Sequence, residues 1–439
     1  MNTELWIKKA EEKGLEAFEI FTKSSKDSSL SIYEHKVDNY EISQDGGTGF
    51  RAIYDGKMAY FSSQDVADDK IDYILDSLKE NATMIESKEK EMLYDGCTEY
   101  QDINYNHVDE KSVDVTIDWL LNLEKKIYEQ DDRIEQVEVM YSCSTGSTAI
   151  VNSLGLNLSK TKANMVLYVS GGAKGEMGPV TSYVYYVINS LDELCIDSVA
   201  KEFKDKVLAK LDPVPINSGE YKVIFKNDCF GSIMQALLSL YNGENAYRKL
   251  TPLHDKLDTK IFDEKVTVVD DPFIKEGIVL ANFDDEGFPT SCKNVVEDGV
   301  LKTFLHSLKS ASLMNTESTG NGFRGYSTPV IISPTNIYLK AGNDSFDKLV
   351  EKVYDGILIT EVMGLHAGLN PVTTDFSIQC NGFMIEDGKV TKPINLFTVA
   401  ANYLEMMKNV MGIADDLLFE GSNVGSPSVA FEKLVISGK

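Results

Sequence analysis

The sequence predicts an α+β protein: an N-terminal α/β region of helices and antiparallel strands, then a β-rich, strongly curved or barrel-like C-terminal domain. Three observations carry this reading. Segments such as VADDKIDYILDSLKENA (66–82) place apolar residues at helical spacing opposite a polar face. Alternating apolar runs flank Asp55-Gly56, Asp298-Gly299 and Asp387-Gly388, each the signature of a two-residue hairpin turn. The texture changes after PVPINSGE (213–220), beyond which strands and turns dominate.

The elements follow in order. ELWIKKAEEKG (4–14) reads as a short amphipathic helix ended by Gly14. AFEIFTKSS (17–25), SLSIYEHKVDNYEIS (29–43) and GTGFRAIYDGKMAYFSS (47–63) read as strands, and 66–82 as the next helix. The polar stretch 86–110 reads as a linker. VDVTIDWLLNLEKKIYEQ (113–130) restores helical spacing, strands return at 134–153, 156–172 and 179–190, and a helix spans 191–212. Two domains are therefore expected, 1–215 and 216–439, with a sub-boundary near 86–110. In the second, 266–271, 277–307, 336–342, 357–364, 376–400 and 429–438 are expected to be mostly strands and turns. Helices are expected at 231–241, at 305–315 and near 400–413, and KNDC (226–229) reads as a turn.

Composition narrows the function classes. The 439 residues hold 69 acidic and 43 basic side chains, a formal net charge of -26. Such a surface repels phosphate backbones and anionic lipid, so no nucleic-acid or membrane partner is expected. Six cysteines (97, 143, 195, 229, 292, 380) form no CxxC pair and read as buried free thiols. No run reaches the roughly 18 apolar residues of a membrane helix. The N-terminus lacks the apolar core of a signal peptide, and a cytoplasmic protein is expected.

The chemistry-bearing residues are sparse. His35 reads as part of a solvated strand face and His107 as part of the linker; His254 and His306 stand alone. His366, in MGLHAGLNP, is flanked by Gly364 and Gly368 and is the histidine best placed for a cleft. No His is followed by Glu, and no two fall at the helical spacing of a zinc site. GxSxG, GxGxxG and GxxxxGK[ST] are all absent. Cys229 sits beside Asp228, which disfavours a thiolate. Carboxylates cluster in VVDD (268–271) and FDDEG (283–287), where ordinary turn chemistry competes with binding of a hard cation.

Several longer strings then stand out: DGGTGFRAIYDGKMAYFSS (45–63), NFDDEGFPTSCKNVVEDGVLKTFL (282–305), STGNGFR (318–324), GLNPVTTDFSIQCNGFMIEDGKVTKPI (368–394) and GSPSVAFEKLVISG (425–438). By their number and order the chain resembles the TldD/PmbA family, also called the modulator of DNA gyrase family, from about residue 45 to the C-terminus.

The resemblance implies a division of labour. TldD-like chains carry an HExxxH zinc helix and a later cysteine ligand; PmbA/TldE-like chains lack both. The corresponding stretch here is GSIMQALLS (231–239), with Met234 and Ser239 in place of the two histidines and Gln235 in place of the glutamate. The C-terminal segment 419–434 holds no cysteine. The resemblance thus implies a PmbA/TldE-like subunit of a zinc metalloprotease complex that degrades or matures peptides and unfolded proteins. It would hold no cofactor of its own, with zinc in a TldD-like paralogue, as a heterodimer or alternatively a homodimer. An extended substrate is expected to bind by strand addition. The expected cleft candidates are Asn321, Arg324, His366, Asn370 and Asp375. Two alternatives stay open: a self-contained hydrolase using His366 with Asp375 or the Asp270/Asp271/Asp284/Asp285 group, and a non-enzymatic peptide-binding or scaffold protein.

Overall fold

The computed structural model describes residues 1–86, 89–97, 99–103 and 108–438. His107 lies outside the described residues. The first half is built on one six-stranded antiparallel sheet. Its strands run, in spatial order, Lys57–Ser63, Lys36–Tyr54, Ala17–Tyr33, Ile134–Asn152, Asn157–Gly175 and Gly178–Ile188. The chain makes this sheet twice over: helix, three strands, helix, and then the same again. The two units join through their first strands, from Glu19 opposite Asn152 to Tyr33 opposite Glu138. Helices Thr3–Glu12 and Ile71–Thr83 bury Trp6, Leu75 and Leu78 against Phe18, Ile20 and Phe50. Helices Val113–Tyr128 and Ile196–Leu208 cover the second unit with Leu120, Leu123, Ala200 and Phe203.

The structure lengthens the first hairpin beyond the sequence expectation. In place of separate strands at 17–25 and 29–43, Ala17–Tyr33 runs unbroken to a tight turn at Glu34 and His35, both at positive φ. No glycine or asparagine marks that turn. The carboxylate of Glu124, itself fully buried, fixes it by accepting the His35 backbone N–H at 3.1 Å, and its Oε2 lies 3.0 Å from His35 Nδ1. His35 is therefore a turn residue and not part of a strand face. The Asp-Gly turns at 55–56, 298–299 and 387–388 each have both residues at positive φ, as a two-residue hairpin requires.

The second half contains a closed five-stranded barrel. Lys389–Asn402, Asp375–Glu386, Gly356–Met363, Gly219–Phe225 and Val429–Ser437 pair in that order, and the last returns to the first through Thr398–Ser437, Val399–Ile436 and Ala400–Val435. Val410–Ile413 extends the last strand on its other side. A smaller five-stranded sheet combines Val300–Leu301, Lys293–Glu297, Val268–Asp270, Ile337–Leu339 and Val424–Gly425. One apolar core joins barrel, small sheet and intervening helices, with Phe225, Phe230, Ile233, Ile359, Phe397 and Phe431 among its members.

The helix expected at 231–241 begins earlier and ends sooner, at Asn227–Ala236, followed by a 3-10 turn at Leu238–Tyr241. Residues 227–229, read as a turn, form its first turn. Asp228 suits the positive end of the helix dipole, and Ser428 Oγ accepts the Asn227 N–H at 3.2 Å. The helix expected near 400–413 shrinks to Tyr403–Met406, because Val410–Ile413 is drawn into the sheet. An unexpected helix, Phe346–Val353, is capped by Ser345 and packs Leu349, Val350 and Val353 on the barrel's outer face. Of the six cysteines, all free thiols, Cys143, Cys229 and Cys380 are buried, but Cys97, Cys195 and Cys292 are exposed rather than buried.

Candidate functional site

Three of the sequence strings meet where the two halves join. DGGTGFR (45–51), FDDEG (283–287) and STGNGFR (318–324) build a buried ionic junction, not an open cleft. Arg51, almost wholly buried, donates from Nε to Glu19 Oε1 at 2.7 Å and from Nη2 to Glu19 Oε2 at 3.0 Å. Its Nη1 lies 3.3 Å from Glu286 Oε1. Burial alone would lower the Arg51 pKa, but the Glu19 and Glu286 carboxylates outweigh it and hold it above its ordinary value. Arg324 donates to Glu19 from across the junction, and its Nε reaches the Asp285 carbonyl at 3.1 Å. Lys23 and Lys160 hold Asp285 at 3.3 and 3.5 Å. Asp284 accepts the N–H groups of Glu286, Phe288 and Gly322 at 2.9–3.0 Å. Gly49 explains the glycine-rich string: a Cβ there would stand 2.2 Å from the Tyr326 carbonyl oxygen.

The cleft candidates divide accordingly. Asn321 is fully buried; its Nδ2 donates to Asp270 at 2.9 Å and to the Ser333 carbonyl at 3.0 Å. Arg324 is spent in the junction. His366, Asn370 and Asp375 are exposed. Asn370 Oδ1 accepts the Val372 and Thr373 N–H groups, and Asp375 accepts from Asn402 Nδ2 at 2.9 Å, so both shape the turn before the strand Asp375–Glu386. Of the carboxylates in the hydrolase alternative, Asp270 accepts from Asn321, Lys293 and Thr335, and Asp271 caps Phe273.

The helix Asn227–Ala236 does border open space. Met234 points into the core at 4% exposure, Gln235 faces outward, and Ser239 lies past the helix end on the 3-10 turn. A thioether, an amide and a hydroxyl pointing different ways do not fit zinc, which takes imidazole, thiolate or carboxylate donors. Burial first, and then the neighbouring Asp228, push the Cys229 thiol well above its ordinary pKa. The C-terminal segment packs beside the helix: a Cβ on Gly231 would touch Val424 and Ser426.

A groove runs from the N-terminal end of this helix along the join between the halves. One cavity in it, of about 550 Å³, lies between the sheet residues Glu138, Tyr168 and Tyr183, the helix residues Asp228 and Ser232, and the strand residues Thr360 to Met363. A neighbouring space of about 630 Å³ shares Thr360 and Glu361 and adds Lys206, Lys210 and Lys226. One wall has a special character. Strand Gly356–Met363 pairs in parallel with Gly219–Phe225 only as far as Ile359, opposite Phe225; the partner then turns into the helix. Glu361, Val362 and Met363 keep their partners on the other side, Asn381, Cys380 and Gln379. Among the described residues, no strand occupies the helix side of 360–363. The sequence reading recognised 357–364 as a strand, but the free edge follows from where the partner leaves, which no local pattern encodes.

Family models cover nearly the whole chain. Those described as PmbA/TldA metallopeptidase domain 1, central domain and C-terminal domain match residues 18–82, 106–211 and 218–438. A metalloprotease PmbA homolog of Buchnera aphidicola is 27% identical over 432 residues, covering 96% of this chain and 93% of its own. Metalloprotease PmbA of Escherichia coli is 24% identical, covering 94% and 90%. The crystal structure of a Thermotoga maritima protein named for modulation of a DNA gyrase superposes with a TM-score of 0.91 at 26% identity, over 99% of both chains. TldE from Thermococcus kodakarensis shares the fold, with a TM-score of 0.90 at 22% identity, over 99% of this chain and 100% of that one. From its matched domains, relatives and superposed fold, the chain is a member of the PmbA/TldD metallopeptidase family.

Proposed function

We propose that this chain is a peptide-binding subunit of a zinc metalloprotease complex, with the metal and the general base supplied by an HExxxH-bearing paralogue. The single observation that carries the reading is the pairing of an unsuitable donor set with a suitable groove. By the family resemblance, Met234, Gln235 and Ser239 take the places of the zinc ligands and base, and the helix Asn227–Ala236 borders the unpaired strand edge 360–363. An extended peptide laid on that edge gains main-chain hydrogen bonds with little regard to side chains, which suits a broad range of unfolded segments. The chain's own residues then bind and align the substrate. Residues 360–363 offer backbone donors and acceptors, and the sheet face around Tyr168 and Tyr183 closes the groove on the other side and limits it to extended chains.

Metal content and casein hydrolysis test this, for the isolated chain and for the chain co-expressed with an HExxxH paralogue from its own genome. The expected outcome is neither metal nor activity alone, and both in a co-purifying complex. Stoichiometric zinc with activity in the isolated chain would overturn the proposal.

A further inference from the structure

The space of about 630 Å³ beside the free strand edge has a character that backbone pairing alone leaves unused. It lies on the outer face of the barrel, bordered by the helices Ile196–Leu208 and Phe346–Val353. Its floor is apolar. Leu358 and Phe383 are opposite one another on neighbouring strands, with Phe346 and Val390 beside them. Phe346 and Phe383 are half-buried against the cluster that holds Leu358, and Val390 is exposed, so apolar surface stays open to the space. The charges around it answer one another. Lys201 pairs with Asp205 at 3.2 Å, Lys206 with Glu202 at 3.1 Å, and Lys210 with Glu361. Lys206 and Lys226 act together on Glu420, whose carboxylate also accepts the Tyr183 hydroxyl at 3.0 Å. Asp228 stands in the first turn of its own helix, where the dipole favours it. The apolar floor is what remains without a partner.

Strand geometry connects that floor to the free edge. Along Gly356–Met363 the side chains alternate: Ile357 and Ile359 belong to the core, Leu358 to the outer cluster. The partner strand does the same, with Val223 and Phe225 inward and Ile224 outward. It leaves after Lys226, whose N–H donates to the Ile359 carbonyl at 3.0 Å. A peptide added along 360–363 extends this sheet, so every second side chain leaves it on the outer face, where Thr360 and Glu361 border the space. We infer that the groove selects extended peptides that seat a large apolar side chain, leucine or phenylalanine, on the floor formed by Phe346, Leu358 and Phe383 while their backbone pairs with 360–363. The inference rests on the peptide-binding reading above and adds the side-chain class of the substrate. Selection comes from apolar surface removed from water on both partners.

Fluorescence anisotropy tests it on the full chain and on its complex with the paralogue. The probes are three labelled heptapeptides of one serine- and threonine-rich sequence that differ only in a central Leu, Phe or Asn. Asn has nearly the shape of Leu, so that pair reads apolar burial and not size. The Leu and Phe peptides are expected to bind about tenfold tighter than the Asn peptide. Phe346→Ser removes part of the floor, and Ala209→Trp fills the space from an exposed position at its rim. Each should shrink the Leu-over-Asn ratio several-fold, and the exposed Ala209 site keeps the test decisive if Phe346→Ser misfolds. Equal binding of all three peptides overturns the apolar selection but keeps the peptide-binding proposal. A Leu preference that survives Ala209→Trp and a folded Phe346→Ser places the apolar contact elsewhere and overturns it too. No binding of any peptide, by chain or complex, removes both.

Discussion

Met234 shows what a single residue can reveal. The family resemblance places it at a ligand position of the zinc helix; in the fold it is a core side chain at 4% exposure. Met234→Ala should cost about 2–5 kcal/mol in urea unfolding, as cavity formation does, and leave metal content unaltered. Arg51 behaves differently, because two carboxylates depend on it. Arg51→Met leaves Glu286 buried without its ion pair and Glu19 with Arg324 alone, and should cost about 3–5 kcal/mol by the same measurement. Asp284 carries the pH dependence. Burial first, and Glu286 second, push its pKa up to about 8, against three backbone N–H donors. Between its unfolded value near 3.8 and about 8, the folded state therefore keeps a proton that the unfolded state has released. This contribution to stability falls as pH rises through that window, by at most about 1.4 kcal/mol per pH unit. Denaturation midpoints at pH 5, 6, 7 and 8 should decline for the native chain and flatten for Asp284→Asn; an unchanged slope would assign the dependence to another group.

At the scale of elements, the junction relies on close backbone approach. The strand Lys36–Tyr54 meets the 324–326 segment at Gly47 and Gly49, where a Cβ would stand 2.4 Å from the Tyr326 ring or 2.2 Å from its carbonyl oxygen. The second contact is with backbone and cannot swing aside. Gly49→Ala should cost about 1–3 kcal/mol, whereas Gly47→Ala is eased by a ring that can move. Urea titration of both variants checks the order. Periodicity made most elements legible: the helices at 71–83 and 113–128 and the three strands from 134 to 188 lie close to their expected places. Two of the misses share a cause, since each was decided by a distant partner. The Glu34-His35 turn is held by Glu124 from 89 residues away, and the early start of the helix at Asn227 by Ser428. The short helix at 346–353 did carry a local mark, Ser345 followed by amphipathic spacing.

At the scale of the molecule, Arg324 ties the halves together by donating to Glu19 on the sheet side and to Asp285 on the barrel side. This linkage should make unfolding a single calorimetric transition in the native chain. Arg324→Met, which removes the charge and keeps much of the volume, should split it into two; one sharp transition in the variant would mean that apolar packing alone couples the halves. The candidate site was far less legible than the fold. Of the five cleft candidates, Asn321 is buried inside the second half, Arg324 is buried at the junction, and His366, Asn370 and Asp375 are exposed. The residues that do line the groove come from the first sheet, the helix at 227–236 and the strand at 356–363, with no motif in common.

The sequence by itself determined the α+β class, the Asp-Gly hairpins, the missing zinc-ligand pattern and the family resemblance, because periodicity, turn chemistry and motif strings are properties of neighbouring residues. Only the tertiary structure decided that those strings form a buried ionic junction, that Met234 belongs to the core, and that 360–363 is a free edge on a groove between the halves. Burial, ion pairing and strand partnership are relations between residues far apart in the chain, and folding alone brings them together.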